Sequence, residues 1–296
     1  MNLDLTRIFV KVVQNGSFSK AAELLKMPKS NVSKAISKLE RESGTKLLTR
    51  TTRSLSLTAA GRTFYETSLG PLQILEDAQK SLNGGDSLLS GLLKITAPED
   101  LGSFVIAPAV AKLAIRHANL NFELQYTDEV IDLVKDGFDI AIRLGKISES
   151  SFKIKKAGEV TLIAVATPEY LKKVDKIRTP KDLEKVDCLS LDSHLFRKWT
   201  LKSKSGTATV SVNTRIASNQ MTSLLQSAVA HAGVALVPNY ICEKEFSAGS
   251  LVRVLPEWST PRIPVSIITP QSPSHSAKLK MTVDQIYLAL QETLGV

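Results

Sequence analysis

Apolar residues at the start of the chain recur every three or four positions, as they do along one face of a helix. Gly16 and Pro28 separate them into three runs, so the pattern predicts three consecutive helices. Ser17 is placed to cap the second helix, and Pro28 suits the first turn of the third, where its missing N–H costs nothing. The predicted buried positions are Leu5, Ile8, Phe9, Val12 and Val13, then Phe18, Ala21, Ala22 and Leu25, then Val32, Ala35, Ile36 and Leu39.

The third predicted helix is apolar on one face and carries hydroxyls, amides and cations on the other. At about 100° per residue, the side opposite Val32 holds Ser30, Lys34, Ser37 and Arg41, with Asn31, Ser33 and Lys38 at its edges. No acidic residue lies between Pro28 and Glu40, whereas a helix built only for solubility would interleave Glu with Lys. Hydroxyls and amides can read base edges, and Lys and Arg hold phosphates or guanine. We therefore expect a DNA recognition helix.

Two short apolar segments follow this helix and bracket a basic stretch. Leu47 and Leu48 form the first, and Leu55 and Leu57 belong to the second, which predicts a two-stranded wing. We expect Thr52 and Arg53 near its tip to contact DNA, because an arginine there can enter a narrow minor groove. A surface hairpin with solvated cations is the alternative. The position directly after a recognition helix favours the wing.

A long helix is predicted next. Thr58 can cap it, and it continues to about Leu82 before Gly84. Its spaced positions are Tyr65, Leu69, Leu72, Leu75 and Gln79. This spacing suits the contact between two helices of a dimer, and it equally suits a helix packed on its own domain. We expect Pro71 to kink the helix, because proline removes one backbone hydrogen bond.

From Gly91 onward, predicted strands alternate with predicted helices. The strands are 92–97, 120–126, 138–143, 162–166, 234–237 and 265–268, and the helices are 101–117, 130–134, one that begins at 167–168, 219–231 and 277–294. This alternation predicts a mainly parallel α/β sheet covered by helices. The last strand and helix have no local partners, so we expect them to return to the first half. Two lobes result, joined by crossovers near residues 161 and 265.

Charge is concentrated at the N-terminal end of the chain. Residues 1–62 hold 12 Lys and Arg against four Asp and Glu, and the remaining 234 residues hold 26 against 25. This excess indicates polyanion binding, because cations that neutralise phosphates release condensed counterions. A solvated basic face on a helical domain is the alternative.

Other candidate chemistry is sparse. Cys188 and Cys242 have no CxxC spacing, so we expect buried free thiols, with one disulfide as the alternative. The four histidines form no metal-binding spacing, and neither a nucleophile motif nor a phosphate-binding Gly loop occurs. We expect no metal, cofactor or catalytic residue. The first residues match neither a signal peptide nor a membrane span, so we expect a cytoplasmic protein without a membrane partner.

Several motifs together resemble the LysR-type transcriptional regulators. They occupy residues 9–22, 31–40, 46–53 and 57–61, and in the body 91–98, 137–145 and 232–238. The resemblance implies a winged helix-turn-helix, a dimer-forming linker helix and a two-lobed sensor that is similar to a periplasmic binding protein. It also implies base contacts from Lys29, Ser30, Ser33 and Lys34, and a minor-groove contact from Arg53. Lys34 stands where Arg is frequent and lacks its bidentate fork, so it is expected to hold a phosphate.

The sensor resemblance implies an effector between the two lobes. Ligands of open α/β lobes lie beyond the carboxyl ends of strands, near helix N-termini. This rule selects Pro98, Glu99, Asp100, Arg143, Thr167, Asn219 and Met221. Arg143 suits a carboxylate, with an ion pair to a neighbouring acid such as Asp139 as the alternative. Glu99 and Asp100 disfavour an anion or simply cap a helix. We expect a small polar metabolite, and these residues do not determine its charge.

The sequence thus predicts a multidomain protein. Its parts are a winged helix-turn-helix in 1–58, a linker helix in 59–88, and an effector-binding domain in 89–296, with lobe I in 89–161 and 265–296 and lobe II in 162–264. The expected function is sequence-specific transcription regulation, in which the effector modulates operator binding or DNA bending. A non-specific architectural DNA-binding protein is the alternative. Expected partners are a double-stranded operator, the effector and further copies in a dimer or tetramer, with RNA polymerase as a candidate.

Overall fold

The computed structural model describes residues 2–50, 55–82, 89–129, 132–134, 136–147, 152–191, 198–270 and 272–295. An N-terminal helical domain with a hairpin comes first, and a long helix follows it. The rest of the chain builds two five-stranded sheets and a separate hairpin.

The N-terminal domain has the predicted three helices and hairpin. Their bounds are α1 Leu3–Asn15, α2 Phe18–Leu24, α3 Lys29–Ser43, β1 Leu48–Arg50 and β2 Leu55–Leu57. The strands pair antiparallel with Leu48 opposite Leu57, which confirms the hairpin. Gly16 ends α1 at a φ of 58°, a left-handed conformation that costs glycine little. Pro28 is the N-cap of α3, one position before the predicted first turn, because its ψ of 138° is extended.

The three helices bury the faces that the spacing predicted. Phe9, Val12 and Val32 have no exposed surface, and the other predicted positions are buried or half-buried. Together they form one core cluster beneath the hairpin. The ring centroids of Phe9 and Phe64 lie 5.5 Å apart, which joins this core to the next helix.

The long helix α4 spans Ala59–Leu82 and contains Pro71 without ending there. Thr58 caps it, because its hydroxyl accepts the N–H of Gly61 at 2.9 Å. Tyr65 and Leu72 are 2% and 8% exposed and pack in the core of their own domain, whereas Leu75 is 48% exposed. The positions predicted to form a dimer contact therefore fall into two groups. Tyr65 and Leu72 pack within the protomer, and Leu75 is left exposed. Gly84 lies outside the described residues.

The remaining elements begin at Gly91. In chain order they are β3 Gly91–Ala97, α5 Glu99–Leu101, a π turn Gly102–Ile106, α6 Ala107–Arg116, β4 Leu120–Tyr126, β5 Ile140–Leu144, β6 Lys153–Val160, β7 Leu162–Ala166, α7 Pro168–Leu171, β8 Asp187–Leu191, β9 Lys198–Ser203, β10 Gly206–Ser211, β11 Asn213–Ser218, α8 Met221–Val229, β12 Val234–Pro238, α9 Glu243–Ser247, β13 Val252–Val254, β14 Ile263–Thr269 and α10 Ala277–Leu294.

Both large sheets are mixed, so the expectation of mainly parallel sheets was wrong. Lobe I has the order β4-β3-β5-β14-β6, and lobe II has the order β11-β8-β12-β7-β13. In lobe I, β3 runs parallel to β4 and β5, but β14 runs antiparallel to β5 and β6. The antiparallel half arises because β14 enters the sheet from the other lobe. The last strand and α10 return to lobe I as predicted, where α10 packs on α6.

The chain crosses between the two sheets twice. β6 ends at Val160 and β7 begins at Leu162, which places the first crossover at residue 161. β13 ends at Val254 and β14 begins at Ile263, two residues before the predicted start of this strand. One hydrophobic cluster contains residues of both sheets, so the lobes share buried apolar surface.

Two helix predictions need correction, and a third is not tested. The helix expected over 101–117 is interrupted by the π turn, because Pro108 has no N–H to give to the preceding turn. The helix expected to begin with an Asn219 cap is α8, whose N-cap is Gln220 and whose end is Val229. Val130 and Ile131 of the predicted short helix lie outside the described residues.

Candidate DNA-reading surface and interlobe cleft

The polar face of α3 is exposed. Ser33 is half-buried and the other predicted DNA-contacting side chains are exposed, the set being Lys29, Ser30, Asn31, Ser33, Lys34, Ser37 and Lys38. Lys38 lies 3.8 Å from Glu42, a weak pair between two exposed groups. The face therefore presents hydroxyl, amide and ammonium groups to the surroundings, as base and phosphate contacts require.

The wing is described only at its base. Leu48 is buried, and the hydroxyl oxygens of Thr49 and Ser56 lie 2.6 Å apart across the hairpin. Thr52 and Arg53 lie outside the described residues, so their DNA contacts stay a prediction.

Glu40 is a buried acid near the end of α3 that the sequence did not mark as functional. Its carboxylate accepts the N–H groups of Leu47 and Leu48, and it pairs with the Lys46 ammonium at 2.8 Å. Burial by itself raises the pKa of the Glu40 carboxyl. The hydrogen bonds from Lys46 and from the two N–H groups outweigh burial and hold the pKa below its ordinary value. The group is thus ionised at neutral pH.

Lobe I touches the N-terminal domain. Arg62 of α4 donates to Asp132 at 3.4 Å, and Val134 is 3% exposed because it packs into the core of the helical domain. Asp139 accepts the Lys94 N–H at 2.8 Å, and burial raises its pKa while the charges of Lys94, Lys278 and Lys11 oppose that rise. Lys11 belongs to α1, so a charge of the N-terminal domain acts on a carboxylate of lobe I.

Two acidic side chains cross from lobe I to lobe II. Glu99 and Asp100 begin α5 after Pro98, its N-cap. Glu99 accepts the Thr222 hydroxyl of α8 at 2.9 Å, and Asp100 accepts the Tyr240 hydroxyl at 2.8 Å. Asp100 is 7% exposed, and burial raises its pKa, although Tyr240 and the Leu101 N–H oppose the rise. Both acids therefore form hydrogen bonds that link lobe I to lobe II.

Arg143 lies on β5 at the lobe I side of the same region. Its guanidinium donates to the Thr96 hydroxyl at 3.2 Å and to the Glu129 carbonyl at 3.5 Å. Desolvation raises the pKa of Asp128, the charge of Asp100 adds to the rise, and Arg143 opposes it. Asp139, the example of a neighbouring acid for Arg143, accepts the Lys94 N–H. The neighbouring acid whose charge acts on Arg143 is Asp128.

The remaining predicted cleft residues have local roles. Thr167 is buried, where it caps α7 by accepting the Tyr170 N–H and lies 2.8 Å from His231 Nδ1. Met221 is half-buried against the hydrophobic clusters of lobe II, next to Thr222. Asn219 is exposed, since it precedes the cap of α8.

Cys188 and Cys242 are free and buried, as predicted, and burial raises the pKa of each thiol to about 12. Among the described residues, no three His, Cys, Asp or Glu side chains could hold a metal ion together. The helices in the described part of the chain include none that is long and apolar enough to cross a membrane.

Two family models match the two parts of this architecture. The model described as "Bacterial regulatory helix-turn-helix protein, lysR family" matches residues 3–62, and the "LysR substrate binding domain" matches residues 86–288. The chain belongs to the LysR family of transcriptional regulators.

Individual LysR relatives extend over nearly the whole chain. An uncharacterised HTH-type transcriptional regulator of Haemophilus influenzae is 32% identical over 269 residues, which cover 90% of this chain and 93% of the relative. An HTH-type transcriptional repressor of Pseudomonas aeruginosa is 31% identical and covers 94% of this chain and 89% of the relative. The full-length virulence activator AphB of Vibrio cholerae has a TM-score of 0.62 at 26% identity, with 97% and 98% covered.

This LysR regulator therefore has a helix-turn-helix DNA-binding domain and an effector-binding domain. The relatives named above are transcriptional regulators. The sequence did not mark Glu40, Asp128, Thr222 or Tyr240 as site residues. Thr222 and Tyr240 bond to acids 123 and 140 positions away along the chain, and no motif marks Asp128. Glu40 ends the 31–40 motif, but nothing in that motif indicates its burial.

Proposed function

We propose that this regulator binds a specific double-stranded operator, with α3 in the major groove and the wing in the adjacent minor groove. The observation that carries the proposal is the division of α3 into a buried apolar face and an exposed face of hydroxyls and cations. Base and phosphate contacts then come from Lys29, Ser30, Asn31, Ser33, Lys34, Ser37 and Lys38, with Thr52 and Arg53 from the wing.

Lys34→Ala tests this surface, with Lys181→Ala as a matched exposed lysine of the sensor. Both variants are titrated at several salt concentrations with a duplex that the wild-type protein recovers from genomic fragments. We expect Lys34→Ala to weaken binding and to lower the slope of log K against log salt by about 0.9, the value for one phosphate contact. Equal slopes for both variants would contradict the assignment.

We propose a homodimer joined by the linker helix α4, which can pair further into a tetramer. Leu75 is large, apolar and 48% exposed on this helix, and contact with a second copy of the chain would bury it. A two-fold dimer also presents two recognition helices to two half-sites, which one protomer cannot do.

We propose that a small polar metabolite binds between the lobes and changes their relative pose, and thereby the spacing of the recognition helices and the DNA bend. The support is the set of polar groups that face one another across the lobes, Glu99 with Thr222 and Asp100 with Tyr240, beside Arg143. Such coupling requires the metabolite to bind one arrangement of the lobes better than the other.

Arg143→Gln tests the cleft, with Arg178→Gln as an exposed control. A panel of small carboxylates, amino acids and sugars is screened for a rise in melting temperature of the wild-type protein. A compound that stabilises the wild type is expected to lose its effect on Arg143→Gln and keep it on Arg178→Gln. The same shift in all three proteins would exclude Arg143 from the site.

The remaining expectations complete this proposal. We propose that the protein acts in the cytoplasm, where its operator is, and that RNA polymerase is a further partner of the bound regulator. The division into 1–58, 59–88 and 89–296, with lobes that exchange at residue 161 and before residue 263, is the proposed domain organisation.

A further inference from the structure

Glu40 is the buried acid of the recognition helix, and it lies away from the exposed reading face. It is 8% exposed, and both carboxylate oxygens are used. Oε1 accepts the N–H groups of Leu47 at 3.0 Å and Leu48 at 3.1 Å, and Oε2 accepts the Lys46 ammonium at 2.8 Å. A buried carboxylate is tolerated only when it is satisfied in this way.

The peptide group between Leu47 and Leu48, whose N–H donates to Glu40, also contacts the start of the linker helix. The Leu47 carbonyl accepts the Thr58 N–H at 3.0 Å, and the Thr58 hydroxyl approaches the same oxygen at 3.2 Å. A Cβ added at Gly61 would lie only 1.9 Å from this oxygen, so α4 packs directly on the peptide. One peptide is therefore fixed by α3 through Glu40 and by α4 through Thr58 and Gly61.

The wing begins at this fixed peptide. Leu48 is the first residue of β1 and pairs with Leu57 at the end of β2, immediately before Thr58. The direction in which the hairpin leaves the domain thus depends on where the Glu40 carboxylate places the two N–H groups. Two N–H groups that share one acceptor oxygen are held at 3.0 and 3.1 Å from it, so this oxygen defines the angle more tightly than apolar packing alone.

We propose that Glu40 is a positioning residue, which sets the angle between the recognition helix and the wing so that both reach the operator at once. Glu40 itself does not contact DNA. The inference rests on the proposed minor-groove contact of the wing.

The test uses the full-length protein and one duplex that the wild type selects from a pool of duplexes with a random central region. Glu40→Ala removes the acceptor, Glu40→Gln keeps an amide oxygen for both N–H groups, and Lys46→Ala removes only the exposed cation. Each variant is measured by hydroxyl-radical footprinting, by the salt dependence of binding and by repeated selection from the pool.

We expect Glu40→Ala to select the same core sequence but to lose protection in the flanking minor groove. The slope of log K against log salt falls by about 1 for each phosphate contact that the displaced wing loses. Glu40→Gln restores the flanking protection, and Lys46→Ala never loses it. A wild-type footprint and slope for Glu40→Ala would overturn the proposal, and so would equal loss of core and flank.

Glu40→Asp keeps the proposal testable if Glu40→Ala does not fold, because it withdraws the carboxylate by one methylene while retaining its charge. It is expected to show reduced flanking protection with the core sequence unchanged, and a wild-type footprint would overturn the proposal. Arg53→Ala distinguishes failure of the wing contact from failure of the Glu40 positioning role. If Arg53→Ala loses flanking protection and the Glu40 variants do not, only the positioning role fails. An unchanged Arg53→Ala footprint removes the wing contact and this inference with it.

Discussion

Tyr240→Phe removes a hydrogen bond that joins the two lobes. The Tyr240 hydroxyl of lobe II donates to the Asp100 carboxylate of lobe I at 2.8 Å, and Asp100 is 7% exposed. Without that hydroxyl, the buried carboxylate keeps the Leu101 N–H at 2.9 Å as its described hydrogen-bond donor. The variant therefore leaves part of a buried charge unsatisfied without changing the shape of the side chain.

The expected cost depends on pH through Asp100. A hydrogen bond to a charged acceptor contributes about 1.5–3 kcal/mol, so Tyr240→Phe should lower the free energy of unfolding by that amount while Asp100 is ionised. Burial raises the folded-state pKa of Asp100, so the unfolding free energy falls as pH rises from the unfolded pKa to the folded one and is then level. Removing Tyr240 raises this pKa further. The cost is therefore largest above the folded pKa and shrinks when the pH falls below it.

Urea unfolding of both proteins at pH 8 and pH 5, followed by tryptophan fluorescence, measures this cost. The only two tryptophans of the chain, Trp199 and Trp258, belong to lobe II and report its unfolding. Tyr126→Phe is the matched control, because the buried Tyr126 hydroxyl has no hydrogen-bond partner among the described residues and its removal should cost almost nothing. Equal losses for the two variants, or a Tyr240→Phe loss that grows toward pH 5, would refute the reasoning.

Three further predictions follow from packing. Val134→Ala should destabilise the N-terminal domain by about 1–3 kcal/mol, because Val134 is buried in its core. Arg62→Ala breaks an exposed ion pair and should cost less than about 1 kcal/mol. A thermal unfolding experiment in which Arg62→Ala costs more than Val134→Ala would contradict the interdomain contact. Gly102→Ala should cost about 1–3 kcal/mol, since its Cβ would lie 2.4 Å from an aromatic ring of β4, and an unchanged melting temperature would exclude this contact. Leu75→Glu should shift the sedimentation coefficient toward the monomer while Leu288→Glu, an equally exposed leucine of α10, does not; identical profiles would disfavour the linker-helix dimer.

Local spacing was enough to predict the helices and the hairpin of the N-terminal domain. The apolar positions of α1 and α3 lie on one face each, because a helix places residues three and four apart together. The hairpin and the Thr58 cap depend on neighbours within a few residues, so they could be predicted too. Pro28 fell one position outside the helix, and spacing alone does not fix a boundary that closely.

Contacts between distant residues could not be predicted in the same way. Tyr240 and Asp100 are 140 positions apart, and nothing near either residue marks the other. The antiparallel pairs follow from where β14 inserts in lobe I and β7 in lobe II, which is a property of each assembled lobe and not of the strand itself. In the sequence Glu40 looks like one more surface acid, and only the structure shows that it is buried against the N–H groups of Leu47 and Leu48.

The most direct test of the account is to recover genomic DNA fragments with the purified full-length protein at about 0.15 M salt, where non-specific binding is weak. We expect a few fragments that share an imperfect palindrome, with half-sites separated by a whole number of helical turns. Lys34→Ala should recover them poorly, whereas Lys181→Ala should match the wild type. Recovery of fragments without a shared sequence, equally by all three proteins, would contradict sequence-specific regulation and favour an architectural DNA-binding protein.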